Sequence, residues 1–159
     1  MILVTLGTQD KSFERLLKAV QKAIDEGYVK EKVVVQAGYT EFTSKDMEIF
    51  DFIPRDKFDE LIEECDILIT HAGVGSILTG LNNNKKVIAA ARLSEYKEHI
   101  NDHQIQIVEK FDRLGYILPL KDFDKLGELI KEAKKFKPKK YVSNTENIIK
   151  HLEEYIDSI

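Results

Sequence analysis

The sequence predicts an α/β protein built on a doubly wound, mostly parallel sheet. Short β-branched runs alternate with amphipathic stretches along the chain, joined by short turns. The runs are apolar throughout rather than alternating, as in strands covered on both faces. The chain has 159 residues, 43% hydrophobic and 33% charged, which fits one globular core without a disulfide or metal staple. Residues 1–159 are therefore read as a single domain.

The elements follow in order. Ile2 to Leu6 is a buried strand ending at Gly7. A helix is expected over about 12–26: Phe13, Leu16, Leu17, Val20 and Ile24 share one face, Ser12 caps the start and Gly27 stops it. Residues 32–37 carry Val33, Val34 and Val35 as a second strand, and 47–53, ended by Pro54, form a third. Asp56 opens a helix to about 65 with Phe58, Leu61 and Ile62 inward; Cys65 lies on Leu61's side as an apolar filler. Residues 66–71 form a fourth strand, which passes through Gly73-Val-Gly75-Ser76 into a short helix carrying Ile77, Leu78 and Leu81. Residues 86–91 form a fifth strand. A polar loop then leads to a helix over about 102–113 with Ile105, Val108 and Phe111 on one face. A short strand at 115–118 and helices at about 122–135 and 144–157 complete the order.

Composition excludes several classes. The net charge is −4, with 24 basic against 28 acidic side chains, which disfavours nucleic acid as a ligand. No apolar run approaches the ~20 residues of a membrane span. The apolar start is too short for a signal peptide and has no basic leader. One cysteine cannot form an internal disulfide, so a reducing compartment is expected. His71, His99, His103 and His151 have no metal-ligand spacing, and no metal is expected. Six lysines between Lys131 and Lys140 form a solvated helix end or a contact with an anionic membrane surface.

In doubly wound sheets, ligands bind beyond the carboxyl ends of the strands. Three turns are expected there. His71-Ala-Gly73-Val-Gly75-Ser76 joins a strand to a helix. Its glycines allow close backbone approach, and a helix N-terminus with a serine hydroxyl suits a diphosphate; the plainer reading is a tight turn with an N-cap serine. The spacing matches neither G-x-G-x-x-G after a first strand nor a P-loop, and the order around Ser76 is not that of a nucleophile elbow. Gly7-Thr8-Gln9 ends the first strand and offers donors to a ligand, or is a simple connection. The third runs from Arg92 to Gln104 and ends in Glu98-His99-Ile-Asn101-Asp102-His103-Gln104, whose last three residues either present donors to ribose or sugar hydroxyls or begin a solvated helix.

Together and in this order, the three segments resemble the carboxyl-terminal, donor-binding half of GT-B glycosyltransferases of family 28. The resemblance is strongest to the free-standing small subunits of that group, the Alg13-like proteins of N-glycan assembly and the PssE/CpsG-like proteins of exopolysaccharide synthesis. It implies a Rossmann-like domain that binds a UDP-sugar as donor substrate, needs no cofactor or metal, and transfers a hexosyl or N-acetylhexosaminyl group with inversion. It also implies a membrane-anchored Alg14/PssD-like partner, a lipid-linked (polyprenyl diphosphate) acceptor and peripheral placement at the cytoplasmic face of a membrane through that partner. The implied binding residues are Gly7, Thr8, Gln9, His71, Gly73, Gly75, Ser76, Thr79, His103 and Gln104. Thr79 stands where relatives often carry an acidic residue for the ribose. Glu98 or His99 is a candidate general base, the partner being the other source. The rival expectations are a non-catalytic enhancer of a partner transferase, a nucleotide-sugar epimerase and a nucleotide-sensing module.

Overall fold

The computed structural model describes residues 1–140; the predicted helix at 144–157 and His151 lie outside the described residues. Six strands form one sheet: β1 (Ile2–Thr5), β2 (Val33–Gln36), β3 (Glu48–Phe50), β4 (Ile67–His71), β5 (Lys86–Ala90) and β6 (Leu118–Pro119). Their order is β3-β2-β1-β4-β5-β6, and each adjacent pair is parallel. The order reverses between β1 and β4, so the crevice expected of this architecture opens above that pair.

Among the described residues, five α-helices cover the sheet: α1 (Glu14–Asp25), α2 (Arg55–Glu64), α3 (Val74–Asn82), α4 (His103–Arg113) and α5 (Leu126–Ala133). Strand alternation sorts the core into two layers. Ile2, Val4, Val33, Val35, Ile67 and Ile69 pack towards α1 and α5. Leu3, Val34, Leu68, Val87 and Ala89 pack towards α2, α3 and α4. Both faces are thus apolar, which is why the strands read as continuous hydrophobic runs. Gly80 lets α3 lie close on the sheet: a Cβ there would stand 2.6 Å from Val87 Cγ2 and 2.9 Å from Leu68 Cδ2.

Several boundaries differ from expectation for physical reasons. Ser12 does not cap α1. Phe13 occupies the cap position with no side-chain cap, and its N–H donates to the buried Thr40 Oγ1 at 2.9 Å, tying α1 to the loop after β2. Gly27 does end α1, at φ +86°, with Tyr28 N–H returning to Ala23 O at 3.1 Å. Asp56 lies inside the first turn of α2, Pro54 taking the cap position, and Phe58 is only partly buried. Cys65 is buried one residue past that helix, with its Sγ 3.3 Å from Ile62 O. The buried face of α4 carries Gln104, Ile107, Val108 and Phe111, while Ile105 is exposed. β6 is only two residues long and includes Pro119, because it is an edge strand that proline tolerates. Among the described residues, no helix is long and apolar enough to cross a membrane.

Candidate functional site

The site forms where β1 and β4 end. Thr5 and Thr70 are register partners and both are buried; the Thr5 hydroxyl donates to Thr70 Oγ1 at 2.8 Å. Immediately beyond them the two glycine turns close on one imidazole. A Cβ at Gly7 (φ +80°) would stand 2.6 Å from His71 Nε2, and one at Gly73 would stand 2.5 Å from His71 Cε1. Both turns therefore need glycine because the His71 ring fills the space between them. At Gly75 a Cβ would meet nothing within 4 Å.

Gln104 sets the state of that ring. It is buried on α4, and its Oε1 accepts from Arg92 N at 2.9 Å and Ala72 N at 3.3 Å. Its Nε2 therefore faces His71 Nδ1, 3.4 Å away, as a donor. A ring that accepts at Nδ1 carries its proton on Nε2, and Ser76 Oγ lies 3.4 Å from Nε2. Burial, reinforced by the charges of Arg92 and His99, pulls the His71 pKa down to about 4. At neutral pH His71 is an uncharged N–H donor at the mouth of the crevice. Beside it α3 begins at Gly73 with no side-chain cap, so its first N–H groups and the positive dipole end face the same place.

The rim extends to β2 and β3. Gly38 (φ +59°) packs on Gly7, where a Cβ would be 2.7 Å from Gly7 O. Next to it the exposed Tyr39 and Phe52 meet edge to face, with centroids 5.4 Å apart. Ile53 N–H donates to Gln36 Oε1 at 3.1 Å and fixes this loop to the sheet. Tyr39 lies in a segment expected as a loop, and Phe52 in the strand expected over 47–53, which ends at Phe50. Two depressions of about 330 and 420 Å³ flank Arg15, and neither includes a glycine-turn residue.

The predicted site residues divide into two groups. Gly7, His71, Gly73 and Ser76 converge on the crevice. Thr8 is exposed and Gln9 half-exposed on the same turn. Thr79, one turn along α3 from Gly75, gives its hydroxyl proton to Gly75 O at 2.9 Å, which leaves its oxygen able to act as an acceptor. Gln104, expected near the donor sugar and nucleotide, is buried with its Oε1 accepting from two main-chain N–H groups and its Nε2 directed at His71 Nδ1, so it orients His71 from beneath. Glu98 was one of two candidates in this chain for the general base, with His99, the partner being the other source. Glu98 is buried, with Oε1 accepting from Arg15 Nη2 at 2.9 Å and from Leu93 N at 3.0 Å, and Oε2 accepting from Arg15 Nε at 3.0 Å. An acid held this way anchors its loop.

His99 accepts from Asn101 N–H at Nδ1, 3.3 Å, which puts its neutral-state proton on Nε2. Its pKa is lowered by burial and by Arg92 and His103. His103 is half-exposed at the start of α4, its N–H bonded to Asn101 Oδ1 at 3.1 Å. Asp102 does not cap α4. Its Oδ1 accepts from Ser94 N at 2.8 Å and Ser94 Oγ at 2.9 Å, closing the loop at its base. Arg92 opens the third expected turn but carries no assigned role there, and Arg15 is read only as part of the first helix; nothing near either in the sequence distinguishes it from a surface cation.

A parallel sheet in this strand order, with an uncapped helix N-terminus and a neutral histidine at its switch point, is an α/β domain of the Rossmann-like class. The sequence matches the model of the glycosyltransferase family 28 C-terminal domain over residues 1–159, and the chain belongs to that family. A protein of Candida albicans described as UDP-N-acetylglucosamine transferase subunit ALG13 is 32% identical over 77 residues, 48% of this chain and 25% of that protein. The Saccharomyces cerevisiae protein of the same description is 41% identical over 69 residues, 43% of this chain and 31% of that protein. The matched stretches thus span about a quarter to a third of these relatives' length. Among solved structures, the solution structure of ALG13 superimposes with a TM-score of 0.61 at 21% identity, covering 95% of this chain and 94% of that one. Acinetobacter baumannii MurG gives a TM-score of 0.58 at 14% identity, covering 82% of this chain and 40% of that one. Both show the shared GT-B fold.

Proposed function

We propose that this chain is the donor-binding subunit of an inverting glycosyltransferase, with a UDP-sugar as its ligand. The observation that carries the reading is the Gly7–His71–Gly73 sandwich beside the uncapped N-terminus of α3. UDP-N-acetylglucosamine is the first donor to test, because the curated relatives carry that sugar nucleotide in their description. The diphosphate lies across the first turn of α3, within reach of Ser76 Oγ and His71 Nε2–H. The exposed Tyr39–Phe52 pair supplies an apolar face for the base, and Thr8, Gln9, Thr79 and His103 offer hydroxyl and sugar contacts.

In transfer, an acceptor hydroxyl attacks the anomeric carbon, the bond to the β-phosphate oxygen breaks, and UDP leaves. Negative charge grows on that oxygen, and preorganised N–H donors and the helix dipole stabilise it. A neutral His71 donates without its protonation state changing near pH 7. The acceptor proton needs a base. Glu98 is held by Arg15, and His99 Nδ1 accepts from Asn101 N–H while Nε2 carries the neutral-state proton, so we assign the base to the partner half. That half is an Alg14/PssD-like, membrane-anchored subunit that also holds the lipid-linked acceptor and places this chain at the cytoplasmic face.

The test is calorimetric titration of UDP-N-acetylglucosamine, UDP and uridine, with and without the co-purified partner. UDP binding weakened at least tenfold by Ser76→Ala supports the reading. No UDP binding in either sample overturns it, leaving the enhancer as the better account.

A further inference from the structure

Among the described residues, Arg92 is the largest side chain buried almost completely, at 1% exposure. Its guanidinium bonds to main-chain carbonyls of two separate loops. Nη1 donates to Lys11 O at 2.8 Å and to Glu98 O at 3.0 Å, and Nη2 donates to Leu6 O. The Phe13 ring lies beneath it, 5.0 Å from Cζ. Burial draws its pKa down to about 10 against the pull of Glu98, so it stays charged at neutral pH. Nε has no partner. Through its own N–H it also holds the Gln104 amide that orients His71.

The bond to Leu6 O has a geometric consequence. In a trans peptide the carbonyl of one residue and the N–H of the next point in opposite directions. By drawing the Leu6 carbonyl inward, Arg92 turns the Gly7 N–H outward. With Lys11 O held by the same group, the intervening Gly7-Thr8-Gln9 turn is fixed at both ends.

We propose that Arg92 is a positioning residue, which sets the Leu6–Lys11 turn so that it presents its N–H groups to a ligand phosphate. The assignment rests on the donor-binding reading above and goes beyond it in naming what shapes the turn. An apolar side chain of similar volume would fill the space; a guanidinium adds fixed carbonyl directions.

The test compares UDP with uridine, by calorimetry, on the wild-type chain, Arg92→Lys and Arg92→Gln, each at a temperature where circular dichroism shows it folded. Arg92→Gln is expected to weaken UDP at least tenfold while uridine changes less than twofold, and Arg92→Lys to fall between. Equal weakening of both ligands, or of neither, overturns the proposal. So does loss of cooperative unfolding in both variants, which would make Arg92 a stabilising residue alone. A wild-type chain that binds neither ligand sinks the donor-binding reading instead, and the Arg92 role with it.

Discussion

At the amino end of the sheet, charged groups stay in water. Lys32 pairs with Glu48 at 3.0 Å and Lys134 with Glu31 at 3.3 Å, and every partner keeps solvent access. At the carboxyl end, the same chain buries Thr5, Thr70, His71, Arg92, Glu98 and Gln104. Burying polar groups costs free energy unless each finds a partner. The amino end shows that folding this sheet does not require it. The carboxyl end is where the chain accepts that cost, and the groups collected there orient two glycine turns and one imidazole. Mutations at the two ends should therefore fail differently: at the carboxyl end nucleotide binding is lost, whether stability falls or rises, while at the amino end almost nothing changes.

The largest effect is expected at Gly7. Gly7→Ala combines left-handed backbone at φ +80° with a Cβ 2.6 Å from His71 Nε2. Strain and overpacking together should cost about 3 kcal/mol or more and abolish UDP binding. Urea unfolding measures the first and calorimetry the second. An unchanged midpoint would mean that His71 is not wedged as described.

The pH dependence comes next. His71 has a folded pKa of about 4 against an ordinary 6.5, so the unfolded chain binds the proton more tightly. The associated stability is fully present above pH 6.5 and is lost as pH falls towards 4. The total is about 3 kcal/mol, with His99 adding in the same direction. His71→Gln should remove most of this slope. A variant as acid-sensitive as the wild type would place the titration elsewhere.

Gly75 separates binding from folding most cleanly. A Cβ there meets nothing, and the site lies in the first turn of α3. Gly75→Ala should raise stability by up to about 1 kcal/mol through helix propensity. It should also weaken UDP at least tenfold by blocking backbone approach. Tighter or unchanged UDP binding would show that the space at Gly75 is not reserved for the ligand.

The glycine turn was legible because its signal is local: two glycines, a serine and the switch from strand to helix lie within six residues. The sheet was legible for the same reason, each buried strand being a continuous apolar run. What escaped depends on loop closure. Nothing near Arg92 reveals that its partners are Leu6 and Lys11, 86 and 81 residues away. Glu98 looked like a base until Arg15, from α1, was seen to occupy it. Ser12 lost its cap role because Thr40 reached Phe13 N–H first. Ile105 looked inward because helical periodicity alone does not reveal that α4 turns Gln104 to the core instead. In each case a long-range polar contact overrode a sound local pattern.

The smallest effect is expected at Lys134. Its side chain is 46% exposed, and it faces a Glu31 side chain that is 28% exposed. Water screens both charges, and holding the long lysine in place opposes the attraction. Pairs of this kind contribute about 0.2–1 kcal/mol. Lys134 also accepts a bond from Lys86 Nζ at 2.7 Å, but through its main-chain carbonyl, which a side-chain change leaves in place. Lys134→Ala should therefore shift stability by about 0.5 kcal/mol or less, with no effect on UDP affinity. A loss several times larger, or any change in nucleotide binding, would mean that the amino end is coupled to the crevice through the sheet, and that the division between the two ends is wrong.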